Sequence, residues 1–412
     1  MVLSMIPPMV PPVVPLHHQW YHYTTSDTTN GTSDTTSGTI LVPLAYSRTE
    51  PPPHLSFLKI DFAENCMGEK NCKQSTKYKK NWNIFKFFFF FRFLLVFLIV
   101  LVIYNMKFGI LASLAVAVTS VQAMGDLAFN LGVKDNAGNC KSTSEYETDF
   151  QTLKAYSTIV KTYAVSDCNT LQNLGPAAEE AGFQLMLGIW PNDDAHFQAE
   201  KDALKTYLPT ISVDTIKVFT VGSEALYRED LTSDQLAEKI LEIKQLVSTI
   251  NDKNGKSYSS VPVGTVDSWN VLVDGASTST IKEADFVFAN AFSYWQGQTQ
   301  QNSSYSFFDD IMQALQTIQT IKGTTDLNFW VGETGWPTAG TNFESAVPSV
   351  DNAKVYFQQA VCAMRAWGIN VAVFEAVDEI WKPDTSGTSD VEKHWGVWDQ
   401  NYNLKYPIGC NF

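Results

Sequence analysis

The stretch IKVFTVGSE, residues 216–224, is an apolar run that ends on a carboxylate. Apart from Lys217, the residues before Gly222 are apolar or β-branched, which is typical of a strand buried on both faces in a parallel sheet. Seven further runs of this kind predict strands in the same part of the chain: FNLGV (129–133), IVKTYAV (159–165), FQLMLGIW (183–190), VPVGTV (261–266), FVFANAF (286–292), LNFWVGE (327–333) and INVAVFEAV (369–377).

Helix-like patterns lie between these runs, in segments such as 144–157, 231–250 and 350–368. The second segment follows a Thr232/Ser233 cap and carries apolar residues at helical spacing, namely Leu236, Ile240, Ile243 and Val247. Strands that alternate with helices imply a parallel sheet covered by helices. Eight such units in about 290 residues predict a single α/β domain, the (β/α)8 TIM barrel. A doubly wound open sheet is the rival, but no G-x-G-x-x-G motif follows the first run.

The chain before residue 124 has a different character. Residues 1–84 combine a proline-rich start, a Ser/Thr/Gly/Asp tract and a basic patch, a composition typical of disorder. Residues 106–123 have the layout of a secretory signal peptide, with Val121 and Ala123 before the expected cleavage site. We expect residues 1–105 to be a low-complexity and hydrophobic extension absent from the mature protein, which begins near Met124 and comprises residues 124–412. If the apolar run 85–104 is genuine, it predicts a type II membrane anchor instead.

Charge and cysteine content narrow the possible partners and the compartment. Nine Lys/Arg and six Asp/Glu give residues 1–105 a net charge of +3, whereas 20 Lys/Arg and 37 Asp/Glu give residues 106–412 a net charge of −17. An acidic domain argues against nucleic acid, whose phosphates require a basic face. Four cysteines follow the signal, namely Cys140, Cys168, Cys362 and Cys410. In an oxidising compartment they would form two disulfides in one of three pairings, with scattered buried thiols as the alternative.

Polar residues that end apolar runs mark the chemistry, because catalytic groups in such barrels lie at the carboxyl ends of the strands. Glu224 and Glu333 end the fourth and seventh runs in similar V-G-(x)-E settings. Two facing carboxyl groups suit glycoside hydrolysis, one protonated to donate a proton and the other ionised. Further polar and aromatic groups end the second, sixth and eighth runs: Tyr163, Asn290, Tyr294, Trp295, Glu375, Asp378, Glu379 and Lys382.

Other chemistries find little support after residue 106. Only His196 and His394 occur there, and we expect neither to have a second ligand-type residue at metal spacing, so no metal is predicted. No G-x-S-x-G elbow and no G-x-x-x-x-G-K-[ST] loop occurs either, which argues against a serine hydrolase and a nucleotide hydrolase. No cofactor is expected.

The segments VGSEALYR, FANAFSYWQG, VGETGWPTAG and FEAVDEIWKP resemble the fungal cell-wall branch of glycoside hydrolase family 17, the β-1,3-glucanases and glucanosyltransferases. The resemblance covers about residues 125–412. It implies a retaining mechanism in which Glu224 is the acid/base and Glu333 the nucleophile. It also implies that further residues contact substrate or tune the nucleophile, namely Tyr163, Asn290, Glu375, Glu379 and Lys382. Tyr294, Trp295 and Trp336 are expected to stack on sugar rings, with packing at the barrel rim as the alternative.

The resemblance further implies a secreted protein of the fungal cell wall that takes β-1,3-glucan, with chitin or other wall polymers as additional partners. A monomer without a stable membrane anchor is expected, and Asn302 in the sequon N-S-S is a predicted glycosylation site. Ser223 departs from the Asn that plant relatives usually have before the acid/base. The rival function is a non-catalytic glucan-binding wall protein that uses the same cleft.

Overall fold

The computed structural model describes residues 124–385 and 387–410. The expected extension (1–105), its apolar run (85–104) and the expected signal peptide (106–123) lie outside the described residues. Eight strands form a closed barrel in chain order, and each is parallel to its neighbours, including β1 and β8. The strands are β1 Leu127–Asn130, β2 Ile159–Lys161, β3 Gln184–Ile189, β4 Ile216–Ser223, β5 Val263–Ser268, β6 Val287–Asn290, β7 Trp330–Thr334 and β8 Asn370–Val373. The predicted TIM barrel is confirmed, and the open-sheet rival is excluded.

Helices connect the strands: α1 Thr143–Leu153, α2 Thr170–Ala181, α3 Asp194–Tyr207, α4 Ser233–Ser248, α5 Trp269–Val273, α6 Thr278–Glu283, α7 Gln300–Lys322, α8 Val350–Tyr356 and α9 Cys362–Ala366. A π-helical turn, Phe357–Val361, joins α8 to α9. The cap predicted for α4 is present, because Thr232 and Gln235 form a reciprocal capping box. The four apolar residues that predicted this helix are all buried.

The inside of the barrel is filled by side chains. One buried residue from each strand joins Phe286 in a compact cluster: Ala128, Ile159, Met186, Val218, Val266, Phe288, Trp330 and Ala372. A larger apolar layer lies between the strands and the surrounding helices, as expected for this architecture. Because the interior is packed, an open site can form only at an end of the barrel. The polar residues predicted above lie at the carboxyl ends of the strands, at one end of the barrel.

Several predicted runs extend beyond the strands that they contain. The run 159–165 forms a strand only over Ile159–Lys161, and the run 369–377 only over Asn370–Val373. The residues that follow remain buried, with Val165 at 1% exposure and Ala376 at 0%. Apolar sequence therefore continues into the loops at the barrel mouth and does not mark the end of the strand.

Two disulfides resolve the choice among the three pairings. Cys140 is bonded to Cys168, and Cys362 to Cys410. The first joins the loop after β1 to the loop after β2, and the second joins α9 to the C-terminal segment. Across residues 124–385 and 387–410, no helix has the length and apolar character needed to cross a bilayer.

Candidate active site

Glu224 lies immediately after β4, at the carboxyl end of the barrel. Its N–H donates to the carbonyl of Val266 in β5 over 2.9 Å, and its φ of 56° is in the left-handed region. The side chain is 3% exposed. Asn290, the last residue of β6, donates from Nδ2 to Glu224 Oε1 over 3.0 Å. Three neighbouring strands thus fix the position of this carboxyl group.

The surroundings of Glu224 favour its protonated form. Burial, and then the negative charge of Glu333, raise the pKa of Glu224 to about 8, while the hydrogen bond from Asn290 acts in the opposite direction. A carboxyl group with this pKa carries its proton at neutral pH. Glu224 is therefore suited to donate a proton to a leaving group.

Glu333 lies inside β7 and faces a different environment. Its carboxylate is 2% exposed, and Oε1 is 2.8 Å from Nζ of Lys161, the last residue of β2. Ser223 also donates from Oγ to the same oxygen over 3.1 Å. A buried ion pair with an added hydrogen bond stabilises the charged carboxylate. The two carboxyl groups thus have different surroundings: those of Glu224 favour the proton, and Glu333 is ion-paired.

The groups predicted beyond β8 form a second charged cluster at the same end. Lys382 Nζ lies 2.7 Å from Glu375 Oε2 and 2.6 Å from Glu379 Oε2, and all three side chains are buried. Burial and the charge of Glu379 raise the pKa of Glu375 well above its ordinary value. Burial also acts to raise the pKa of Glu379, but Lys382 and a hydrogen bond from Glu375 hold it below its ordinary value. The cluster therefore holds one protonated and one ionised carboxyl group around a single cation.

Tyr163 links the two charged clusters. Burial raises the pKa of its phenol well above the ordinary value, and four neighbouring carboxyl groups add to this in their ionised forms: Glu333, Glu375, Glu379 and Glu224. The Nζ of Lys161 lies 4.3 Å from the centre of the Tyr163 ring. The structure thus brings together Tyr163, Asn290, Glu375, Glu379 and Lys382 with the two central glutamates. Their individual roles remain predictions.

Five buried polar atoms of this site have no hydrogen-bond partner among the described residues: Tyr163 Oη, Glu224 Oε2, Asn290 Oδ1, Glu375 Oε1 and Glu379 Oε1. Buried polar atoms are normally paired, so a concentration of unpaired ones indicates a place for a polar ligand. Together these atoms offer donors and acceptors suited to hydroxyl groups.

Two of the three predicted sugar-stacking rings lie inside the protein. Tyr294 is 0% exposed and donates its hydroxyl to Thr341 O, and Trp336 is 2% exposed and donates Nε1 to Val347 O. Both rings pack edge-on against each other, with centroids 5.6 Å apart. The alternative, packing at the barrel rim, therefore describes both of them. Trp295 is half-buried beside Trp395 and remains a candidate for stacking.

Sequence reasoning missed Lys161, because a single lysine inside the run IVKTYAV was read as part of the strand. Its signal was a charged residue at a position that must face a packed interior. Asp378 was among the polar residues predicted to end the eighth run. In the structure it forms an ion pair with Lys405 over 2.7 Å.

The expectation that His196 lacks a ligand-type neighbour is wrong. His196 Nε2 lies 3.0 Å from Asp167 Oδ1 and 3.2 Å from Glu200 Oε1. Glu200 follows His196 by one helical turn, a spacing visible in the sequence. Both Glu200 oxygens also accept backbone N–H groups, from Val165 and Ser166. The cluster therefore joins α3 to the loop after β2.

A closed parallel barrel with a protonated glutamate after β4 and an ion-paired glutamate in β7 defines the class of barrel glycoside hydrolases that use two carboxyl groups. Residues 127–410 match the family model described as Glycosyl hydrolases family 17. The chain belongs to this family.

Known relatives match most of the chain. A protein of Candida albicans described as Glucan 1,3-beta-glucosidase BGL2 is 69% identical over 307 residues, which cover 74% of this chain and 100% of the relative. A Glucan 1,3-beta-glucosidase of Saccharomyces cerevisiae is 66% identical over 294 residues, covering 71% of this chain and 94% of the relative. An active-site mutant of the Rhizomucor miehei beta-1,3-glucanosyltransferase, solved in complex with laminaritriose, superposes with a TM-score of 0.59 at 30% identity, over 69% of this chain and 98% of that structure.

Proposed function

We propose that this protein is a retaining enzyme that cleaves β-1,3-glucan and passes the released chain to another glucan or to water. The observation that carries the proposal is the pairing of a protonated Glu224 with a charged Glu333 at one end of the barrel. The substrate is supported by the relatives, which are described as glucan 1,3-beta-glucosidases and as a beta-1,3-glucanosyltransferase.

In the first step, Glu333 attacks the anomeric carbon while the bond from that carbon to the glycosidic oxygen breaks. Glu224 gives its proton to the departing oxygen, so a covalent glucosyl-enzyme and a free hydroxyl end are formed. In the second step, ionised Glu224 takes a proton from water or from a glucan hydroxyl as that oxygen attacks the same carbon. Two inversions give net retention. For this mechanism we expect a carboxyl separation of about 5–5.5 Å.

We assign substrate contacts to Tyr163, Asn290, Trp295, Glu375, Glu379 and Lys382. Support comes from the unpaired buried atoms of four of these residues and from the half-buried ring of Trp295. The cation of Lys382 sits between Glu375 and Glu379, so it would hold both carboxyl groups in place for hydroxyl binding. Chitin or another wall polymer would then serve as an acceptor or as a secondary ligand.

The first test is incubation of the purified protein with laminarin oligosaccharides, followed by product analysis. We expect shorter and longer oligosaccharides from the wild type, and losses of at least about a thousandfold in Glu224→Gln and Glu333→Gln. Glu238→Gln on the exposed face of α4 is the matched control and should keep wild-type activity. Wild-type protein that binds glucan without forming products would instead support the rival, a non-catalytic glucan-binding protein.

The proposed place of action is outside the cell, in the fungal cell wall, as a monomer in which residues 124–412 form the catalytic domain. The signal-like segment 106–123 and the two disulfides support an oxidising, exported environment. Asn302 is exposed near the start of α7 and remains the predicted glycosylation site. Mass spectrometry of the secreted protein should find an N-terminus near Met124, and a peptide from residues 1–80 would contradict this.

A further inference from the structure

The backbone around Glu224 adopts an unusual conformation. Gly222 has a φ of 79° and Glu224 a φ of 56°, so two residues within three are in the left-handed region. For a glutamate this conformation is disfavoured and persists only where the surroundings hold it. The Arg228 N–H donates to Glu224 O over 3.0 Å, which closes a tight turn directly after the glutamate.

Asp267 is attached to this turn from the neighbouring strand. It is the penultimate residue of β5 and is fully buried. Its carboxylate accepts the N–H groups of Leu226 over 2.9 Å and Tyr227 over 3.2 Å, which lie two and three residues after Glu224. It also accepts the N–H of Ser268 over 2.8 Å. A buried carboxylate is costly unless its oxygens are satisfied, and here three backbone donors satisfy them.

We propose that Asp267 is a positioning residue for the acid/base. It fixes the turn that presents Glu224 and places a second buried negative charge next to the Glu224 carboxyl group. The inference rests on the proposed function. Asp267 acts through hydrogen bonds to the turn that carries Glu224 and does not contact the substrate.

The charged and titratable groups around Glu224 support the electrostatic part of this role. Glu333 from β7 and Asp267 from β5 both favour the protonated acid, whereas the cation of Arg228 and the hydrogen bond from Asn290 in β6 favour the ionised form. Burial, and then the charge of Glu224, also raise the pKa of the Tyr227 phenol. The guanidinium of Arg228 also pairs with Asp230 at 2.8 Å and lies over the ring of Trp190, whose centre is 4.8 Å from the guanidinium carbon.

Asp267 is charged in the upper part of the pH range in which Glu224 keeps its proton. Burial raises the pKa of Asp267 to about 6, against the lowering effect of its three N–H partners. Between about pH 6 and pH 8 Asp267 is therefore ionised while Glu224 is protonated. Removing the charge of Asp267 makes ionisation of Glu224 easier, so the alkaline limb of the activity profile should move to lower pH.

The test is the variant Asp267→Asn, assayed as kcat/KM against pH on a laminarin oligosaccharide. We expect the alkaline limb to move to lower pH by about half a unit, with kcat reduced and KM little changed. We also expect the loss to be roughly tenfold smaller on a dinitrophenyl β-1,3-glucoside, because dinitrophenolate leaves without a proton. A reduced rate with an unshifted limb and equal losses on both substrates would overturn the inference.

Asp252→Asn is the matched control. Asp252 is also a buried aspartate whose carboxylate accepts three backbone N–H groups, from Val213, Asn254 and Lys256, but it lies in the loop before β5 at the opposite end of the barrel. This variant should lose stability and keep the wild-type pH profile. If the control shifts the alkaline limb equally, the inference is wrong.

Asp267→Ser is the second uncharged variant, and it carries the same expectation if Asp267→Asn does not fold. If neither folds while the control folds, Asp267 is a structural residue and the inference is refuted. A wild type without activity on glucan would refute the proposed function. An active wild type with an unshifted Asp267→Asn profile refutes this inference alone.

Discussion

Lys161 illustrates how one side chain sets the chemistry of another. It is fully buried, and its ammonium group lies 2.8 Å from Glu333 Oε1 and 4.3 Å from the centre of the Tyr163 ring. A lysine in such a position is stable only because an anion and an aromatic face replace its water. The same contact gives the Glu333 carboxylate a cationic partner, as the proposed nucleophile requires.

We therefore expect Lys161→Met to destabilise the fold by about 3 kcal/mol, since it leaves Glu333 buried without a cation. The double variant Lys161→Met/Glu333→Gln removes both charges and should recover most of this loss. Urea unfolding of the wild type, both single variants and the double variant measures the coupling. Independent, additive effects of the two substitutions would contradict the buried ion pair.

The sequence located Glu224 and Glu333 because a carboxylate that ends an apolar run is rare enough to be noticed. It could not give the role of Tyr294, whose ring is enclosed by Trp336 and by Trp395 from a loop about a hundred residues later. Burial of a ring depends on such long-range packing. Asp267 directly follows the predicted run VPVGTV (261–266), but its partners lie in the turn after β4, so its bonds with the Glu224 turn became visible only in the folded chain.

At the level of elements, side chains of helix α3 hold the loop after β2 in place. Glu200 in α3 accepts the N–H groups of Val165 and Ser166, and His196 contacts both Glu200 and Asp167. The hydrogen bond to Glu200 raises the pKa of His196, although burial acts in the opposite direction. Because this loop carries Tyr163, its attachment to α3 affects the candidate active site.

Because the folded pKa of His196 is above its unfolded value of 6.5, the stabilisation is fully present below about pH 6.5 and is lost as pH rises through the folded pKa. We expect His196→Ala to lower the melting temperature more at pH 5 than at pH 8.5. Partial exposure limits the difference to roughly 1 kcal/mol or less. Gln198→Ala, at an exposed position two residues further along α3, should show the same small effect at both pH values. An effect of His196→Ala that does not change with pH would rule out this role.

All eight strands were predictable because parallel strands buried on both faces leave a continuous apolar run. Their ends were not, since residues such as Val165 and Ala376 stay buried in the loops beyond the strands. The break of the last predicted helix by a π-helical turn at Phe357–Val361 was likewise absent from the periodic pattern.

For the whole molecule, the two disulfides act at different places. Cys140–Cys168 joins two loops at the catalytic end across 28 residues, whereas Cys362–Cys410 fastens the C-terminal segment across 48 residues. Closing loops of these lengths restricts the unfolded chain by about 3.5 to 4 kcal/mol in the chain-entropy model.

We expect Cys362→Ser/Cys410→Ser to lower the free energy of unfolding by up to about 4 kcal/mol and to leave kcat on glucan unchanged in the folded protein. Cys140→Ser/Cys168→Ser should lower both stability and kcat, because the second loop also carries Tyr163. Denaturant unfolding and steady-state kinetics on the same preparations separate the two effects. Equal kinetic losses in both double variants would show that the position of the bridge does not matter.

If Glu333 is the nucleophile, as proposed, its contacts decide which of its two oxygens attacks. A free carboxylate is symmetric by resonance, and either oxygen can form the new bond. Here both Lys161 and Ser223 bind Oε1, so the protein makes the two oxygens inequivalent before any substrate arrives. In the proposed mechanism, Oε1 is the anchored atom and Oε2 the one left to reach the sugar, so only one of the two oxygens forms the new bond.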